Sequence, residues 1–70
     1  MGILSVLDEE LRLHVIEKGA FPTRCYLGRV ELKMFISEVR GWMPNNPKLE
    51  THYNGMTIHK VDEERHRFVA

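Results

Sequence analysis

Thr51-His52-Tyr53-Asn54-Gly55-Met56-Thr57-Ile58 is the stretch that decides the fold class. Asn-Gly suits both central positions of a type I′ turn, where positive φ is required, and its twist matches that of paired strands. With Asn54 and Gly55 as the loop, Tyr53 pairs with Met56 and Thr51 stands opposite Ile58. Side chains alternate across a strand, so Tyr53, Met56 and Ile58 share one face, while His52, Thr57 and His59 take the other. The first set suits a core. Downstream, Asp62-Glu63-Glu64-Arg65 reads as a charged turn into Arg67-Phe68-Val69-Ala70. Residues 51–70 are thus expected to form three successive antiparallel strands.

Upstream the period changes from two to that of a helix. Leu4, Leu7, Leu11 and Val15 recur at three- and four-residue spacing, with Leu13 and Ile16 widening the stripe. Ser5 with Asp8 approximates a capping box, and Asp8, Glu9 and Glu10 suit the positive end of a helix dipole. Lys18 and Gly19 mark the end. Pro22 disfavours helix at Phe21, and residues 23–27 read as a strand with Arg24 and Tyr26 on one face and Cys25 and Leu27 on the other. A second helix over 29–40 carries Val30, Met34, Phe35 and Val39 toward the core, with Leu32 and Ile36 at its edge. Pro44, Asn45, Asn46 and Pro47 then make a loop.

The expected architecture is a single α+β domain over residues 1–70, in the order α-β-α-β-β-β. Two helices cover one face of a small, mostly antiparallel sheet. The other face then carries Arg24, Tyr26, His52 and His59. Such a face either stays solvated or serves as a contact surface.

Composition narrows the function classes. A chain of 70 residues buries only roughly 60% of its unfolded surface, so a small core gains from a supplement. One cysteine, Cys25, makes no internal disulfide, and cysteine-based zinc patterns are missing. Self-association, most simply a homodimer, is the supplement that remains. Ten basic residues balance ten acidic ones, which argues against sequence-independent nucleic-acid binding driven by phosphate neutralisation. Apolar runs are far shorter than the ~20 residues that span a bilayer, and no secretory leader is legible, so a cytoplasmic protein without a membrane role is expected.

The chemistry-bearing residues form no catalytic or cofactor set. His52, His59 and His66 recur at intervals of seven, and His52 lies diagonal to His59 on a hairpin, yet no carboxylate or thiolate completes a metal site. His14, beside the first apolar stripe, is expected to be structural. Cys25 points inward next to Leu27 and reads as a small buried hydrophobe rather than a nucleophile. Leu27-Gly28-Arg29 at a strand-to-helix junction has one glycine and no Lys-Ser/Thr pair, so it is read as a turn rather than a phosphate site. Asp62-Glu63-Glu64 lacks the alternating oxygens of a calcium loop. Trp42, beside Gly41 and Met43-Pro44, is expected to fold back over the second helix and close the core. Partner contact is the alternative, and Trp42 joins Arg24, Tyr26, His52 and His59 as a candidate interaction residue.

Pro22-Thr23, Tyr26-Leu27-Gly28, the helix that follows, Tyr53-Asn54-Gly55-Met56-Thr57-Ile58 and Val61 together resemble short uncharacterised proteins encoded by phages and prophages. The resemblance runs from Pro22 onward, about two-thirds of the chain, and leaves the first helix outside. It implies a viral or prophage accessory protein, acting in the host cytoplasm, and transfers no catalytic residue. The resulting expectation is a non-enzymatic protein that self-associates and binds another protein. The alternative is a nucleic-acid-associated regulator using Arg24, Arg29, Lys33 and Arg40 as a local basic patch.

Overall fold

A computed structural model describes residues 2–70. The chain runs α1 (Ile3–Lys18), β1 (Arg24–Leu27), α2 (Arg29–Trp42), a 3-10 turn (Pro47–Glu50), β2 (His52–Tyr53), β3 (Met56–Lys60) and β4 (Arg67–Val69). This is an α+β domain with the expected element order. Ile3 and Leu7 of α1, and Phe35 and Val39 of α2, meet Cys25, Leu27, Tyr53, Met56 and Val69 in one core. The Phe35 and Tyr53 rings cross edge to face at 5.8 Å, an arrangement that aligns ring edge with ring face.

The hairpin forms at Asn54-Gly55, with Tyr53 opposite Met56 and His52 opposite Thr57. Asn54 and Gly55 both take positive φ, 48° and 81°. Ile58 N–H donates to the Thr51 carbonyl at 2.8 Å, so the register continues past the formal strand.

The sheet order is β2-β3-β1-β4, and it is mixed. β1 lies between β3 and β4, parallel to the first and antiparallel to the second. The three final strands therefore do not pair in succession. Two causes act together. α2 carries the chain back along the sheet, so β3 returns parallel to β1. Residues 61–66, moreover, lack the positive-φ residues of a tight hairpin turn; they pass the end of β1 and deliver β4 to its far side.

Three further expectations are corrected. Ser5 is not the N-cap: α1 begins at Ile3, and no side chain of its own first turn caps it. Met34 is 47% exposed rather than buried, and Leu13 and Ile16 of α1 are exposed as well. α2 also runs two residues beyond the expected end, through Gly41 to Trp42.

Candidate interaction surface

Alternation along β1 places Cys25 and Leu27 under the helices and sends Arg24 and Tyr26 to the uncovered face. Register then builds rows across the strands. Tyr26 lies beside His59 of β3 and Phe68 of β4. The Tyr26 and His59 rings stack with centroids 5.2 Å apart and planes 24° from parallel. Phe68 flanks Tyr26 on the other side at 6.3 Å, and is 54% exposed. The adjacent row holds His52, Thr57 and Arg24. The described residues place no carboxylate in an ion pair with Arg24. The face thus combines an aromatic strip with a cation.

Four of the five candidates are gathered here. Trp42 is not. It sits at the end of α2 and borders a shallow depression with Leu4, Asp8, Glu38 and Tyr53, on the helix side of the molecule. At 60% exposure it does not close the core. Its helical position explains this: the helix continues through Gly41, so the side chain is never folded back by a loop. Phe68 is the member of the face that sequence reasoning missed. The alternation Arg67-Phe68-Val69 held the signal, because a buried Val69 forces Phe68 outward.

The other chemistry-bearing groups are accounted for locally. Cys25 is fully buried, and burial, with the Glu10 charge adding to it, pushes its thiol up to about 11. Such a thiol is a poor nucleophile at neutral pH. His52 Nδ1 lies 2.9 Å from Thr51 Oγ1, His66 pairs with Glu63 at 3.3 Å, and the half-buried His14 bonds the Ala20 carbonyl. Among the described residues no three His, Cys, Asp or Glu side chains converge.

The amides at the start of α2 already have acceptors. Arg29 N–H donates to the Glu63 carbonyl and Val30 N–H to the Glu64 carbonyl, both at 2.9 Å. Gly28 N–H donates to the His66 carbonyl, and the Glu31 carboxylate accepts the His66 N–H at 3.0 Å. The bonds from Gly28, Arg29 and Val30 satisfy three of the four donors that a helix N-terminus leaves free, the same donors an anion would use. The basic residues are also divided. Arg29, Lys33 and Arg40 all belong to α2, but Arg29 pairs with Asp62 and Arg40 with Glu50. Arg24 lies across the sheet from them.

Among the described residues, no helix is long and apolar enough to cross a membrane. Comparison with protein-family models, curated proteins and solved structures gives no match.

Proposed function

We propose that this chain is a non-enzymatic interaction protein that self-associates and binds another protein through its uncovered sheet face, as an accessory protein of phage or prophage type working in the cytoplasm. The observation that carries the reading is the aromatic row His59–Tyr26–Phe68 across three adjacent strands, left open to solvent. Aromatic side chains contribute large contact area at little entropic cost, and interface cores are enriched in them. Arg24 beside the row supplies a charge to orient a partner. The family resemblance from Pro22 onward supports the biological setting.

The test is a comparison of captured proteins from a host lysate. A specific partner is expected to bind the wild-type chain and Trp42→Ser, and to be lost with Tyr26→Ser and Arg24→Glu. Loss with Trp42→Ser alone would move the site to the helix side. A salt-titrated DNA and RNA binding assay provides the second arm. Affinity falling steeply with salt would replace this reading with nucleic-acid binding, since phosphate contacts release counterions.

A further inference from the structure

β4 is an edge strand, and its free edge is an incomplete ladder. In the antiparallel pair with β1, Arg24 and Ala70 exchange both backbone bonds, and Gly28 N–H reaches the His66 carbonyl. Hydrogen-bonded positions alternate along an antiparallel strand. Phe68 therefore faces its bonds toward Tyr26, and the N–H and C=O groups of Arg67 and Val69 point outward. An exposed row of this kind is a template for another strand.

We propose that the occupant is a second copy of this chain, with β4 pairing antiparallel to its own symmetry mate about a two-fold axis at Phe68. The proposal rests on the self-association inferred above and specifies its interface. Register arithmetic selects the axis. Centred on Phe68, each Arg67 stands opposite the mate's Val69, and both pairs exchange two bonds, which uses every outward group of the strand. Centred on Arg67, two like charges would face each other, an arrangement that destabilises a sheet. Centred on Val69, Phe68 would stand opposite the mate's Ala70, and the aromatic row would stop at the interface.

The same axis completes two other features. On the uncovered face, Phe68 meets Phe68 at a non-hydrogen-bonded position, where side chains approach most closely. The aromatic row then runs unbroken through both copies, from His59 to His59. On the covered face, Leu13 and His14 of α1 border the groove beside Phe68 and Val69. Glu10 holds Arg67 at one end, and Lys18 lies toward the other. The two-fold brings the exposed Leu13 side chains toward each other and sets each Glu10–Arg67 pair toward the mate's Glu17 and Lys18, an acid and a base on either side. A stable interface needs roughly 1,200 Å² or more in total, beyond what a three-residue strand buries, so the α1 contacts belong to it.

The experiment joins sedimentation with disulfide trapping. The wild-type chain should sediment at twice its 8.2 kDa mass at micromolar concentration. Phe68→Cys should cross-link into a dimer on mild oxidation, because the opposed Cα atoms of such a pair fall in disulfide range. His59→Cys, on the same row but two strands away, should not. Arg67→Pro removes an outward N–H from each copy, and is expected to weaken the dimer roughly tenfold or more, as two lost hydrogen bonds do. A wild-type monomer overturns both this interface and the self-association reading. A wild-type dimer in which Phe68→Cys traps no faster than His59→Cys overturns the interface alone.

Discussion

The carboxylate of Glu38 caps the helix that begins at Ile3, 35 residues earlier, accepting the Ile3 N–H at 2.8 Å. Leu4 N–H approaches the other oxygen at 3.4 Å. A Cβ at Gly2 would overlap this carboxylate, so glycine there keeps the approach open. A helix whose own sequence offers no working cap is thus closed by its neighbour, which also ties α1 to α2 and supports the core beneath them.

Glu38→Ala should destabilise the fold by about 1 kcal/mol, the ordinary loss for a removed cap. Ser5→Ala, at the position where a cap is expected from sequence, should change stability by less than about 0.5 kcal/mol. Urea unfolding of the two variants checks both. Equal losses would return the capping role to Ser5.

Gly28 and Gly41 should respond to alanine with opposite signs. A Cβ at Gly28 would stand 2.6 Å from the His66 backbone nitrogen and 2.9 Å from the Glu63 carbonyl, and backbone cannot swing aside. Gly28→Ala is expected to lower stability by about 1–3 kcal/mol, as overpacking does. Gly41 is helical with open space around it, so Gly41→Ala should raise stability by about 0.5–1 kcal/mol. Thermal melts of the two variants are the measurement.

Asp8 holds the hairpin to α1 by accepting the Tyr53 hydroxyl at 2.9 Å and the Asn54 side-chain amide at 3.0 Å. A double-mutant cycle between Asp8→Ala and Tyr53→Phe should give a coupling of about 1 kcal/mol or more, since the acceptor is a carboxylate. Additive losses would mean that the two groups do not bond in solution. At the turn itself, Gly55→Val should cost more than about 1 kcal/mol, because a β-branched residue resists positive φ. An unchanged melting temperature would rule out this turn.

Alkaline pH should unfold the protein. Burial, the Asp8 hydrogen bond and the Asp8 charge together hold Tyr53 up to about 12, and burial holds Cys25 up to about 11 against an ordinary 9.0. Both folded values are raised, so each neutral group contributes stability that is complete below its unfolded value. That contribution is lost as pH rises through the folded value. The melting temperature should decline from about pH 9 upward. Thiol reagent should react slowly with the native chain at pH 8 and stoichiometrically in denaturant. Rapid reaction under native conditions would contradict the burial of Cys25.

The helices, the β1 alternation and the Asn54-Gly55 hairpin were legible because each depends on residues two to four positions apart. Four of the candidate surface residues follow from the same alternation once one face is covered. Met34 departs from expectation because helical period says which residues share a side, but not how wide a stripe the neighbouring element covers. Trp42 departs because the helix runs on through Gly41 and carries it. Phe68 was overlooked because the three residues of β4 are too few to show a period on their own.

Sequence by itself determined the α+β class, the order of elements and the inward set Cys25, Leu27, Tyr53 and Met56. These follow from steric and hydrophobic preferences that act within a turn of helix or a few residues of strand. Tertiary structure alone decided that β1 separates β3 from β4, that Glu38 caps α1, and that the carbonyls of Glu63 and Glu64 meet the first amides of α2. The reason is the demand that backbone groups left without local partners find them elsewhere. Where those partners lie depends on the whole packed chain. The path of residues 61–66 follows from that demand, and with it the aromatic row and the open edge of β4.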